Sequence, residues 1–287
     1  MKRICDKRCI IGEGPIWNAK ENRLYFTNAY AKEICVLDIY TGELEVRSLS
    51  KNVAAMAFDA ENRLIVSRED GVFILNKDET IETLYDSSVY QILYANDMKI
   101  GPDGRIYVGT QSRKRLGISE QVDGRLYSID TAGNVRELLN NLILSNGMEW
   151  SMDETRMYHT DSPTQIIREY LFDKESGSIE FSGREIEVPG VDGFTIDAQD
   201  NIYAACWGKG HVAVIDIASL KILDYIKVPA NIPASCGFAG EQMDWLAVVT
   251  ASKGADLIND IYAGCTFMKK MNVPGRKPYL FGDYHFL

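Results

Sequence analysis

A sixfold internal repeat constrains this chain more than any other feature. Six segments share one layout and open at Gly14-Pro15-Ile16-Trp17, Ala55-Met56-Ala57-Phe58, Asp97-Met98-Lys99-Ile100, Gly147-Met148-Glu149-Trp150, Gly193-Phe194-Thr195-Ile196 and Gly237-Phe238-Ala239-Gly240. A short polar turn and a second apolar run follow, as in Asn22-Arg23-Leu24-Tyr25-Phe26 and Gly104-Arg105-Ile106-Tyr107-Val108. A third run often ends in an acid or amide, as at Asp38, Asn76, Asp130, Asp173 and Asp216, and a weaker fourth run completes the unit. The runs are short, rich in β-branched and aromatic residues, and bounded by Gly, Asn, Asp and Pro. They read as strands joined by hairpins.

The residues just ahead of the six openings are 13, 54, 96, 146, 192 and 236, separated by 41, 42, 50, 46 and 44 residues. A four-stranded propeller blade takes about 40–45 residues. The expected fold is therefore all-β, a six-bladed β-propeller with four antiparallel strands per blade. Residues 1–12 and the chain after Cys265 would share the last blade and fasten the ring. No Pro/Gly/Ser-rich linker interrupts the pattern, so residues 1–287 read as one domain. Regular strand spacing also suits a β-sandwich or two stacked barrels; the repeated four-strand period favours the propeller.

The formal net charge of −10 opposes a nucleic-acid partner or an anionic membrane surface, both of which call for cationic neutralisation. It suits attraction of a cation, although most acidic residues simply keep a protein soluble. The basic N-terminus lacks an apolar signal core, and no stretch approaches the ~18 apolar residues of a membrane span. A cytoplasmic protein with no obligate protein partner is expected. Six scattered cysteines, Cys5, Cys9, Cys35, Cys206, Cys236 and Cys265, read as free thiols, several of them buried in strands. Cys5 and Cys9 lack the second close pair of a common zinc site.

The six units differ most usefully at the residue ahead of the first strand: Glu13, Ala54, Asn96, Asn146, Asp192 and Cys236. In a propeller the first strands line the channel, so these positions would meet at one mouth. Four of them carry oxygen donors. Convergent carboxylates repel one another unless a cation or protons compensate them. Carboxylate and amide oxygens suit hard cations, and three histidines in the whole chain make a three-histidine zinc site unattractive. The competing reading is that each residue merely caps a loop. Fifteen residues further on, at the end of each second strand, stand Asn28, Glu69, Gln111, Asp161, Trp207 and Ala251. Asp161, Asn28 and Gln111 could support the ligands or face a substrate; a turn-forming Asp explains Asp161 equally well.

Four motifs in order at blade spacing, Gly12-Glu13-Gly14-Pro15, Asn96-Asp97-Met98-Lys99, Ser145-Asn146-Gly147-Met148-Glu149-Trp150-Ser151 and Val191-Asp192-Gly193, strongly resemble the SMP-30/gluconolactonase (regucalcin-like) family. Ser235-Cys236-Gly237-Phe238 resembles its last-blade signature, and the likeness spans essentially the whole chain. The resemblance implies a six-bladed propeller with one divalent metal ion held by Glu13, Asn146 and Asp192. Ca2+ is the first expectation, with Mn2+, Mg2+, Zn2+ and Fe2+ as the other candidates. Asn96 would complete the site or contact substrate. The family hydrolyses sugar-acid lactones and, promiscuously, organophosphate esters. Many of its sugar lactonases carry an Arg two residues before the Asn-Asp pair. Here that residue is Tyr94, which puts a gluconolactone-type substrate in question.

The expected activity is metal-assisted hydrolysis of a small-molecule lactone, with Asp192 as the base that activates water and Asn96 orienting the ester. Residues 112–124 lengthen one repeat and could cover the mouth. Glu120, within them, would then face substrate, whereas a solvated loop is the simpler reading. The rival classes are a non-catalytic calcium-binding scaffold and a metal-dependent organophosphate esterase. A serine hydrolase built on His159, Asp161 and Ser162 lacks a Gly-x-Ser-x-Gly elbow.

Overall fold

The computed structural model describes residues 1–283 and contains six four-stranded antiparallel sheets, the blades of a six-bladed β-propeller. The chain divides into two compact units of three blades each. Strands are numbered along the chain.

The first unit comprises Met1–Val53 and Ile186–Pro278. Strand β1 (Lys2–Cys5) precedes a sheet of β2 (Ile11–Asn18), β3 (Arg23–Ala29), β4 (Glu33–Leu37) and β5 (Leu44–Ser48). The second unit begins at Ala54, next to the start of β6 (Val53–Phe58), and runs to Glu185, with the chain from Tyr279 added. Its first sheet continues with β7 (Leu64–Arg68), β8 (Gly71–Leu75) and β9 (Ile81–Thr83). The next holds β10 (Ala95–Ile100), β11 (Ile106–Thr110), β12 (Gly124–Ile129) and β13 (Val135–Leu142). The third holds β14 (Ser145–Trp150), β15 (Arg156–Asp161), β16 (Ile166–Asp173) and β17 (Ser178–Glu187). Back in the first unit come β18 (Val191–Ile196), β19 (Asn201–Cys206), β20 (His211–Asp216) and β21 (Lys221–Lys227). The last sheet is ordered β22 (Pro233–Ala239), β23 (Trp245–Thr250), β24 (Thr266–Lys270), β1, so both ends of the chain share it.

Burial follows strand order. In the sheet of β14 to β17 the first strand is buried throughout, whereas β17 alternates half-buried and exposed. This explains why the fourth run of each repeat is the faintest in sequence. In the first unit the core packs Trp17, Phe26, Leu37, Phe238 and Phe267 together. In the second, Trp150 is enclosed edge-on by Tyr107 and Phe172 at centroid distances of 4.9 and 6.0 Å. Such aromatic pairs add directional contact to a large buried area.

The acids that close the third strands hold hairpins. Asp38 accepts the N–H groups of Tyr40 and Thr41, Asp130 those of Ala132 and Asn134, and Asp216 those of Ala218 and Ser219. These are Asx-type turns, in which a short side chain replaces a backbone acceptor. Part of the negative charge is thus turn chemistry. All six cysteines are free, five of them buried and Cys5 half-buried. No helix among the described residues is long and apolar enough to cross a membrane.

Candidate functional site

The four oxygen-bearing positions lie inside the first strands, which corrects their expected placement just ahead of them. Glu13 is the third residue of β2, and Asn96, Asn146 and Asp192 are the second residues of β10, β14 and β18. Each adjoins a break in the ladder to the second strand. The register shifts between Glu13 and Ile16, Ala95 and Met98, Asn146 and Met148, and Val191 and Phe194. A β-bulge re-aims one side chain without ending the strand, and such irregularities concentrate next to active sites. Asn146 and Asp192 are buried, and Glu13 and Asn96 are half-buried.

In the first unit β22 packs against both β2 and β18, so the strands carrying the two carboxylates flank one inner strand. Glycines set this spacing. A methyl group at Gly237 would stand 2.3 Å from the Pro15 carbonyl oxygen, and one at Gly193 would stand 2.3 Å from Ser235 Oγ. Any larger residue would push the first strands apart. The Gly that follows Asp192 or Cys236 in sequence therefore serves packing.

In the second unit Asn96 braces two blades. Its Nδ2 donates to the Ser145 carbonyl at 3.1 Å, while its Oδ1 accepts from Gln111 Nε2 at 3.4 Å. Its own carbonyl accepts from Ser67 Oγ at 2.8 Å. Asn146 Oδ1 accepts the N–H of Gly147 at 3.2 Å.

Second-strand ends reach the same end of each blade, and three of the residues expected there hold the approach to the first strand. Asn28 accepts the Ile10 N–H at 2.7 Å, Asp161 accepts those of Ile143 and Leu144 at 3.0 and 2.7 Å, and Gln111 holds Asn96. The serine-hydrolase arrangement is not assembled. His159 Nε2 lies 2.7 Å from Ser145 Oγ, and both residues are enclosed. Asp161 is committed to backbone, and Ser162 Oγ is buried without a hydrogen-bond partner among the described residues. Burial, with Arg168 nearby, pushes the His159 pKa down to about 3, so the ring is neutral at physiological pH.

Tyr94 adopts a left-handed backbone conformation at φ 60°, its N–H given to Glu69 O and its carbonyl to the Gln111 N–H. Glu120 faces solvent, its side chain 95% exposed and 3.4 Å from Lys114 Nζ. This favours the solvated-loop reading of residues 112–124, whose neck is pinned by Arg113 and Asp123.

Three charged residues on β10 and β14 received no role from sequence. Asp97 is half-buried, and removal from water raises its carboxyl pKa, an effect opposed by Lys99 and reinforced by Glu149. Lys99 and Glu149 form an ion pair at 2.5 Å between the two first strands. The signal for Asp97 and Lys99 was their alternation with buried Met98 and Ile100, an inner strand with one polar face.

The donors at the first-strand positions are all oxygen, the chemistry of hard cations. Among the described residues no three or more His, Cys, Asp or Glu side chains group together.

Six four-stranded sheets, four of whose first strands carry an oxygen-bearing side chain beside a break in the ladder, define a β-propeller. The chain belongs to the SMP-30/gluconolactonase/LRE-like family, whose pattern it matches over residues 11–252. Among its relatives is the Bacillus subtilis protein YvrE, whose name assigns it provisionally to the sugar lactone lactonases. It is 29% identical over 288 residues, 97% of each chain. Human regucalcin is 27% identical over 290 residues, 96% of each chain. The solved structure of regucalcin from Agrobacterium tumefaciens, described as a calcium-binding protein, superposes with a TM-score of 0.86. It is 22% identical, and the match covers 97% of this chain and 96% of that one. That likeness establishes the fold.

Proposed function

We propose that this protein is a divalent-metal-dependent lactonase, in which Glu13, Asn146 and Asp192 supply oxygen donors to one cation. The observation that carries the reading is the equivalence of the three residues, each at the bulged entry of the first strand of its own blade. Family membership supports lactone hydrolysis, and the calcium-binding relative supports Ca2+ as the first cation to test. A bound divalent cation supplies positive charge that polarises an ester carbonyl. Asp192, in a buried setting, would take the proton from the attacking water at a carboxylate oxygen. Asn96, held between Gln111 and Ser145, is rigid enough to orient the ring ester. Tyr94 in place of a guanidinium favours a lactone with few hydroxyl groups. Six free cysteines fit a reducing, cytoplasmic setting.

The test is lactone hydrolysis by Glu13→Gln and Asp192→Asn, each assayed with added Ca2+, Mn2+ and Zn2+. Loss of at least 100-fold in both supports the mechanism, and unchanged turnover in both ends it. Tight cation binding without turnover on a broad lactone panel would instead identify a calcium-binding scaffold. Faster turnover of organophosphates than of lactones would identify a phosphoesterase.

A further inference from the structure

We propose that Asp161 and Asn28 are positioning residues that set the affinity of the cation site by fixing the backbone that delivers Asn146 and Glu13. The inference rests on the cation site proposed above.

Both side chains are almost wholly buried, at the ends of β15 and β3. Asp161 gives one oxygen to the N–H of Ile143 and the other to that of Leu144. These are the two residues before Ser145-Asn146. Asn28 Oδ1 accepts the N–H of Ile10, three residues before Glu13. Its Nδ2 donates to Glu33 Oε2 at 2.7 Å, and Glu33 is paired with Lys7 at 2.7 Å. That chain of partners fixes which way the amide faces.

The hairpin acids Asp38, Asp130 and Asp216 bond N–H groups two to four residues away. Asp161 and Asn28 reach back 17 or 18 residues to the entry of the preceding strand. Asp260, in the loop between β23 and β24, likewise accepts the N–H of Asn231 ahead of β22, from 29 residues on, so buried acceptors at strand entries are not confined to the two clamps. A clamp's bearing on a cation comes from what the clamped strand carries. Backbone N–H groups in a buried turn need an acceptor. Without one, the entry would relax, and the donor oxygen just downstream would move with it. Ligand-orienting groups of this kind typically govern metal affinity by 10–100-fold.

The experiment is calorimetric titration of Ca2+ into metal-stripped protein, with the melting temperature of each variant measured alongside. Asp161→Ala and Asn28→Ala should each raise the Kd for Ca2+ by about 10–100-fold. Asp161→Asn, which keeps one acceptor oxygen, should lose less and serves if the alanine variant fails to fold. Asp130→Ala removes two comparable N–H bonds at a hairpin far along β12 from the strand entries, and should lower the melting temperature without changing the Kd. Folded clamp variants that bind Ca2+ within twofold of the parent overturn the proposal, as does an equal shift in Asp130→Ala. A parent protein that binds none of Ca2+, Mn2+ and Zn2+ overturns the cation reading itself, which the first titrations reveal independently; if it binds only one of the latter two, the same variants are titrated with that ion.

Discussion

Ser145 Oγ and His159 Nε2 meet at 2.7 Å inside the blade that carries Asn146, and neither is open to solvent. The imidazole is held neutral, its pKa about 3 against an ordinary value of 6.5. The unfolded chain therefore binds a proton between those values that the folded protein refuses. Its contribution to stability is full above pH 6.5 and falls as the pH drops toward 3, by up to ~1.4 kcal/mol per pH unit and on the order of 5 kcal/mol in all. Urea unfolding at pH 7.5, 6 and 5 should show the decline. His159→Asn, which does not titrate, should show a shallower one. Identical pH slopes would mean that His159 is not held neutral.

Tyr94 stands where many sugar lactonases of the family have an arginine, and it is half-buried beside Asn96. Restoring a guanidinium adds charge-assisted hydrogen bonds to hydroxyl groups, worth about 1.5–3 kcal/mol each. Tyr94→Arg should raise kcat/KM for gluconolactone about tenfold relative to an unsubstituted lactone. Paired assays on the two substrates check this, and an unchanged ratio would remove position 94 from substrate selection.

Trp150 is fully enclosed by Tyr107, Phe172 and Met148. Trp150→Ala should cost about 3–5 kcal/mol, from lost burial and the cavity left behind. Denaturant unfolding measures it. A loss below 1 kcal/mol would show that the neighbouring aromatics collapse into the space.

Gly275 lies against Phe238, and a methyl group there would stand 2.1–2.4 Å from the ring and Cβ of that residue. Phe238 belongs to the core of the first unit and has little room to move. Gly275→Ala should destabilise by about 1–3 kcal/mol through overpacking. A melting temperature equal to the parent's would indicate that the segment shifts freely.

Cys5 is the one thiol of six that is not buried. Titration with an aromatic disulfide reagent should give one accessible thiol at most in the native protein and six after denaturation. Rapid reaction of more than one would contradict the burial of the other five.

The sixfold repeat was legible because each blade reuses the same strand lengths and turn chemistry, and the turn acids Asp38, Asp130 and Asp216 act locally. The first-strand positions were legible because they vary where the repeat does not. Their true place inside the strands was not, since the extra residue at a bulge shifts the two-residue alternation and leaves the first residues of the strand out of phase with the rest. Asn28 and Asp161 were found by counting, but what they hold depends on register 17 or 18 residues away. The Ser145–His159 contact was missed for a similar reason. Ser162 is nearer in the chain, yet strand pairing brings Ser145 to the imidazole. Lys99 and Glu149 belong to different blades, and no pattern within one repeat links them.

The final sheet takes β1 as its outermost strand, paired with β24 across roughly 260 residues of intervening chain. A polypeptide leaving the ribosome presents β1 well before β24 and must wait for all the intervening strands to be made before that partner exists. Closing so long a loop is entropically costly and slow. Until then the outer edge of β24 lacks a neighbour and could recruit a strand from another molecule. Deleting residues 2–5 should therefore lower refolding yield more steeply at high protein concentration than at low.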